Sequence, residues 1–328
     1  MTHNSLGIDV SKDKLDVALS DGCQIIEQAV FSNDRNGFKK LNKWLNKRVD
    51  EPLWACLEAT GHYSEAVAHY LYQQGHQVSV VNPARIKKYA QSKLQRAKTD
   101  PVDARLIADF CLTQRPPVWT PPSPQQRELQ ALTRRLAALI EAQTREKNRL
   151  QSGLQSETVI VSIKAHLDFL ADQITQLEQH IQHHIDQHPS LKHKKELLLS
   201  IPGIGQKTAS RLLGELPDVV QFDSSAQVVA YVGLCPQPYH SGSSIHKRAK
   251  LTKIGKQRLK AALYFPALTA IRLNPIVMAL ADRLKERGKH SMVIVGAAMR
   301  KLIQLAYGVL KSGRPFDPNF AVNLQFTA

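Results

Sequence analysis

The sequence predicts a mixed α/β domain followed by a mainly helical region, and three observations lead there. Short apolar runs alternate with turn signals and amphipathic stretches over the first hundred or so residues. A proline-rich connector, residues 115–124, then reads Arg-Pro-Pro-Val-Trp-Thr-Pro-Pro-Ser-Pro, which suits neither helix nor central strand. Beyond it, hydrophobic residues recur at helical spacing over long stretches. The chain has 328 residues, enough for two domains, and its 43% hydrophobic content is that of an ordinary globular protein.

Charge narrows the partner. Lys and Arg number 44 against 28 Asp and Glu, a formal net charge of +16 that predicts a polyanionic partner, most simply nucleic acid. No signal peptide, bilayer-spanning apolar run or lipidation motif is legible, so the reading is cytosolic with no membrane partner. The four cysteines lack CxxC spacing, which predicts neither a disulfide framework nor a zinc site.

Residues 6–10 form an apolar run interrupted by Asp9, followed by a Ser-Lys-Asp-Lys turn and further runs at 15–19 and 25–31. These read as three antiparallel strands. Residues 36–49 carry Phe38, Leu41, Trp44 and Leu45 at helical spacing. A buried strand at 53–57 ends on Glu58, a helix at 63–74 closes on Gly75, and residues 77–81 form another apolar strand. A basic segment follows, with Arg85, Lys87, Lys88, Lys93, Arg96 and Lys98, and then a helix opens near Asp100. Pro101 fits its first turn, where the missing N–H costs nothing, and Asp100 the position just before. The order β, β, β, α, β, α, β, α is that of an RNase H-like domain.

Carboxylates punctuate this order. An acid inside a hydrophobic first strand is costly to bury unless paired or metal-bound, and Asp9 occupies that position. Glu58 ends the fourth strand in the same way. Asp100 and Asp103 share one helix face ~5–6 Å apart, a spacing able to hold a hard divalent cation if other elements add carboxylates. In isolation the pair reads as an N-cap Asp and a dipole-favoured Asp. The segments before it favour the metal reading. Asp13 and Asp16 read as solvated hairpin acids, and the basic run before the acidic pair as a track for a nucleic-acid backbone.

In the second half, residues 125–150 carry Leu129, Leu132, Leu136 and Leu139 on one helical stripe. After a break near Gly153, Ile163, Leu167, Leu170, Ile174, Leu177 and Ile181 form an a/d seam, predicting a helical hairpin or an intermolecular coiled coil. Self-association is the favoured use. His180 and His184 have the spacing of a metal pair, but without a third ligand motif a polar helix face is the better reading. Residues 201–209, Ile-Pro-Gly-Ile-Gly-Gln-Lys-Thr-Ala, match a helix-hairpin-helix pattern. Gly203 and Gly205 permit a tight turn that, with Lys207 and Thr208 on the following helix N-terminus, grips phosphate. Ser241-Gly242-Ser243-Ser244 precedes a dense basic segment with Lys247, Arg248, Lys250 and Lys253. From the residues alone that serine stretch reads as a flexible loop. Residues 261–313 read as helical. The expected domains are 1–155 with a trailing long helix, 156–192 as a coiled-coil segment, and 193–328.

Gly7-Ile8-Asp9-Val10-Ser11, Leu57-Glu58-Ala59-Thr60-Gly61 and Lys98-Thr99-Asp100-Pro101-Val102-Asp103-Ala104 resemble the three acidic motifs of the DEDD transposases. This is the insertion-sequence-110 type of recombinase, whose relatives include Piv-type DNA invertases. The resemblance implies a RuvC-like first domain in which Asp9, Glu58, Asp100 and Asp103 hold Mg2+ or Mn2+, the metal chemistry suited to phosphodiesters. It extends over nearly the whole chain. It implies a transposase domain at the C-terminal end whose nucleophile is the first serine of the stretch, Ser241, ahead of Ser243 and Ser244. The implied activity is cleavage and exchange of element-end and target DNA. The implied partners are that DNA, a noncoding bridge RNA, and further copies of the chain, a dimer assembling to a tetramer in which the acidic centre of one protomer meets the serine domain of another. A bacterial cytoplasmic setting, nucleoid-associated on DNA, accompanies this.

Alternatives are a RuvC-like metal-dependent nuclease or junction resolvase using the first domain alone, and a DNA invertase without guide RNA. An actin-like ATPase or sugar kinase shares the Gly7-Ile8-Asp9 opening, but no second phosphate-binding Asp-Gly-Gly follows, and a charge of +16 suits a sugar substrate poorly. A nonenzymatic nucleic-acid-binding protein would not need the four acids to converge.

Overall fold

Period-two alternation places Leu6, Ile8 and Val10 of β1 (Ser5–Val10) on one face, with Leu15, Val17 and Leu19 of β2 (Lys14–Ser20), and β3 (Ile25–Ser32) completes an antiparallel meander. The computed structural model describes residues 4–49, 52–94, 99–153, 155–241, 245–252 and 254–319, with backbone alone at 62, 238–241 and 245–249. Two units are present, Met1–Pro121 and Pro122–Ala328.

In the first unit, α1 (Arg35–Leu45), β4 (Trp54–Glu58), α2 (His62–Gln73), β5 (Gln77–Val81), α3 (Pro83–Ser92) and α4 (Asp100–Gln114) follow the meander. Among the described residues the sheet has five strands in the order β3-β2-β1-β4-β5, with β1/β4 and β4/β5 parallel. The strand and helix order matches the sequence expectation, with one addition. The basic segment begins as a helix, α3, because Asn82 caps it by accepting from the Ala84 N–H at 2.9 Å and Pro83 opens it. Helix α4 also begins one residue earlier than read: Thr99 is the N-cap and Asp100 lies inside the first turn.

Each face of the sheet has its own cover. The Leu6, Ile8, Leu15 and Val17 face packs with Phe38, Leu41 and Leu45 of α1 and Val67 and Leu71 of α2. The opposite face is covered by α4, where Ala18 of β2 packs with Ala104 and Ala108.

In the second unit, α5 (Pro124–Gln151) and α6 (Glu157–Asp186) lie against each other, and α5 also packs on α8. Helix α5, attached to the first domain by the sequence reading, therefore has its packing partners here. The seam residues Ile163, Leu170 and Ile181 are buried in this unit. Beyond them come α7 (Pro189–Leu199), α8 (Gln206–Glu215), a 3-10 turn at Val219–Gln221, and α9 (Ser225–Val232). The chain then forms an antiparallel hairpin, β6 (Pro236–Ser241) and β7 (Ile245–Leu251). The pairing of these two strands was not read from the sequence, and the loop expected of the serine stretch lies, beyond Ser241, outside the described residues. Four helices close the chain, α10 (Gln257–Ala262), α11 (Tyr264–Leu273), α12 (Pro275–Glu286) and α13 (Ser291–Ser312).

Helix α13 corrects a second expectation, since it is long and apolar enough to cross a bilayer. Its apolar residues Ile294, Leu302, Ile303 and Ala306 are instead buried in the second unit's core with Val229, Ala267 and Val277.

Candidate active site

Asp9, Asp100 and Asp103 gather because one strand position carries no side chain. A Cβ on Gly7 would lie 2.1 Å from the Ala104 carbonyl oxygen and 2.3 Å from the Ala108 nitrogen, so α4 can rest on β1 only over glycine. Asp9, two residues on, points from the same face of β1. Asp103 precedes Ala104 in α4, and Asp100 lies one turn earlier. Glu58 arrives by register: Ile8 pairs with Leu57 on the parallel neighbour, so Asp9 and Glu58 follow at the same end of adjacent strands.

Electrostatics report the convergence. Burial, then the carboxylates of Asp103, Asp100 and Asp16, push the Asp9 carboxyl up to about 6. Asp16 corrects the sequence reading. It lies directly across the ladder from Asp9 and is 4% exposed, not a solvated hairpin acid. Lys14 accounts for its tolerance: the ammonium sits 3.1 Å from Asp16 and 2.7 Å from Asp100. Those two carboxylates raise the Lys14 pKa, the Asp100 hydrogen bond more than the Asp16 one.

A second bridge anchors α4. Gln28 of β3 donates to the Pro101 carbonyl at 2.7 Å and accepts from Arg105 Nε at 2.8 Å. Thr60, two residues past Glu58, has a buried hydroxyl with no hydrogen-bond partner among the described residues. Among those residues no three His, Cys, Asp or Glu side chains close into a metal-holding group. Lys14, Asp16 and Gln28 were missed from sequence. The available signal was alternation: with Leu15, Val17 and Leu19 facing one core, Lys14 and Asp16 must face Asp9's side.

The basic residues divide. Lys87 and Lys88 are exposed on α3. Lys93 is engaged, 3.1 Å from Asp109 and over the Tyr89 ring. Arg96 and Lys98 lie outside the described residues. In the second unit, Gly203 has φ +103, and a Cβ there would lie 2.7 Å from the Ala270 Cβ, so glycine meets both a left-handed backbone and a close approach. Gly205 is the N-cap of α8, followed by exposed Lys207 and half-buried Thr208. Lys207 is ion-paired with Glu178 at 2.6 Å.

Ser241 ends β6, its Cα paired with that of Ile245, with His240 paired to His246 and Tyr239 to Lys247. Arg248 also lies on β7, and exposed Lys250 pairs with Gln237. Ser243, Ser244 and Lys253 fall outside the described residues. His184 is hydrogen-bonded to the Gln125 carbonyl at 2.9 Å, which gives that helix face a structural use. All four cysteines are free.

Comparison with known proteins matches residues 6–158 to a family model described as a DEDD transposase of IS110 type, and residues 195–281 to one described as a transposase of the IS116/IS110/IS902 family. The chain is 33% identical, over 97% of its length and 98% of the relative's, to a pilin gene-inverting protein of Moraxella bovis. It is 27% identical to the transposase for insertion sequence element IS1328 of Yersinia enterocolitica, over 76% of this chain and 82% of that one. These matches cover both units, and the first spans the motifs of Asp9, Glu58, Asp100 and Asp103. The chain belongs to the IS110-type family of DEDD transposases.

Proposed function

We propose that this protein is a DNA recombinase of a mobile element that cuts and rejoins strands with two chemical groups, an acidic centre of Asp9, Glu58, Asp100 and Asp103 and the hydroxyl of Ser241. The observation that carries the first is the crowding of carboxylates from β1, β2 and α4 around Asp9, which raises its pKa. Such repulsion is tolerated where a cation is meant to sit. Hard carboxylate oxygens suit Mg2+ or Mn2+, and the Thr60 hydroxyl, without a partner among the described residues, is a further oxygen two residues past Glu58. A bound divalent ion supplies positive charge to a phosphodiester.

The chain's own groups do the rest. The Ser241 oxygen forms a bond to phosphorus as the bond from phosphorus to a deoxyribose oxygen breaks. The serine proton leaves to a base, the departing oxygen takes one up, and a second strand's hydroxyl reverses the step. Lys247, Arg248 and Lys250 on the paired strand β7, with Lys253 after it, supply positive charge for the phosphate. Exposed Lys87 and Lys88, with Lys93, Arg96 and Lys98 beyond them, and the Gly203–Thr208 turn hold the DNA backbone without reading sequence. A bridge RNA that pairs with donor and target DNA, and assembly of dimers into a tetramer, complete the proposal. It places the protein in the bacterial cytoplasm.

DNA inversion without a guide is the second reading, favoured by the relative named for pilin gene inversion. The test is a magnesium-dependent recombination assay with element-end DNA, target and the RNA transcribed from the element's flank, resolved on a denaturing gel. The expected result is a protein–DNA adduct lost in Ser241→Ala, and product lost in both Ser241→Ala and Asp9→Ala. Cleavage that survives Ser241→Ala without an adduct would reduce the protein to a metal-dependent nuclease. Product formed without the RNA would favour inversion.

A further inference from the structure

Helices α5, α6, α7 and α8 line a half-open cavity of about 260 Å³ in the second unit. Its walls are of two kinds. Leu136 and Ala137 of α5 and Ile181 of α6 form an apolar side, while Lys195 of α7 and Lys207 and Arg211 of α8 bring three cations to the other. One acid of the lining, Glu178, is engaged by Lys207, while Asp186 and Glu215, outside the lining, act on Lys195 and Arg211. Within the lining itself positive charge is in excess.

Lys195 is the costly member. It is only 5% exposed, and its ammonium donates to the neutral amide oxygen of Gln182. Burying an ammonium without a full counter-charge is expensive, and the desolvation depresses its pKa. Arg211 is half-buried, and burial disfavours its charged form too. A helix interface made only for packing would use apolar residues here, as α5 does on the facing wall. The lining also offers hydrogen-bonding edges, Gln206 and Ser210, while Gln182 is engaged at both ends, by Lys195 and by Asp186. The occupant that matches is flat and apolar on its faces, polar at its edge, and anionic at one end.

We propose that this cavity takes the base of one unpaired nucleotide, with the adjoining phosphate held at Lys207 and the start of α8. Unstacked bases are bound in this way, edge to side-chain amides and hydroxyls and face to apolar groups or a guanidinium plane. The volume sets the limit: drug-sized ligand sites run from roughly 300 to 1,000 Å³, so this one has room for a single base and none for a base pair. The strand is RNA or DNA, which share this chemistry. The inference rests on the reading of the protein as one that acts on nucleic acid.

The test uses the full chain and short single strands of RNA and of DNA, each carrying one 2-aminopurine, with the same strands annealed as duplex controls. Ala137→Phe fills the cavity, and Arg211→Gln removes charge while leaving its volume, so the test stands if the first variant melts early. The expected result is a change of 2-aminopurine emission on single-strand binding by the wild type. In each folded variant that change disappears and affinity falls about tenfold, with duplex affinity unchanged. The strand with the larger emission change in the wild type names the source. Variants with wild-type emission and single-strand affinity would overturn the inference. Wild type that binds duplex but shows no single-strand emission change would overturn it while leaving the proposed function standing. Wild type that binds neither would remove both.

Discussion

Gly7 and Ala104 are in contact through backbone alone: a Cβ on Gly7 would sit 2.1 Å from the Ala104 carbonyl oxygen. That closeness brings the first turn of α4, and with it Asp100 and Asp103, onto the strand that carries Asp9. Gly7→Ala must push the helix away, at a cost of ~1–3 kcal/mol typical of overpacking. The variant is expected to melt at lower temperature and, at a temperature where it remains folded, to lose most recombination. A variant with wild-type melting and activity would remove Gly7 from this role.

Asp9 links the site to pH. Its carboxyl, raised from the ordinary 3.8 to about 6, holds in the folded protein a proton that the unfolded chain has already released. The stability it contributes is therefore fully present below pH 3.8 and lost as pH rises through about 6. Because Asp9 is partly exposed, solvent screening reduces the effect to ~1 kcal/mol. Asp9→Asn should abolish that loss and raise the metal-free melting temperature at pH 7, while abolishing activity. Saturating magnesium should flatten the step in the wild type. Parallel melting curves of wild type and Asp9→Asn from pH 4 to 7 would refute this.

Lys14 holds Asp100 and Asp16 together, and its loss leaves Asp16 buried without its ion pair. Lys14→Met is expected to lower the melting temperature in the absence of divalent ions, and to gain more from added magnesium than the wild type does. Differential scanning fluorimetry across a magnesium titration reads both. Equal magnesium shifts in the two proteins would show that the ammonium and the cation do not share these carboxylates.

The second unit has a buried ion pair of its own. Arg134 reaches both oxygens of Glu215, at 2.9 and 3.3 Å, and Glu215 is 6% exposed. Removing one partner of a buried pair costs ~3–5 kcal/mol. Arg258, 4.0 Å from the same carboxylate, should hold Arg134→Met near the lower end. Urea unfolding is expected to show that loss and its partial recovery in Arg134→Met with Glu215→Gln. No recovery would mean that Arg134 acts through packing.

Much of this chain is written in local pattern. Alternation along Leu15, Val17 and Leu19 defines β2, the acidic motifs at Asp9, Glu58, Asp100 and Asp103 are legible as strings, and the seam from Ile163 to Ile181 defines the buried side of α6. Apolar periodicity determines these because it states which face of an element leaves water. It does not state what covers the other face. Asp16 reads as a solvated hairpin acid, yet α4, some 86 residues beyond Lys14 in sequence, brings Asp100 to within 2.7 Å of Lys14, which also pairs with Asp16. The hairpin around the serine stretch was not legible because nothing local announces that residues 236–241 and 245–251 pair. By itself the sequence determined most of the elements and the family, and named the acids as candidates. Only the tertiary structure decided which charges meet, because an acid facing water and an acid facing a helix carry the same letter.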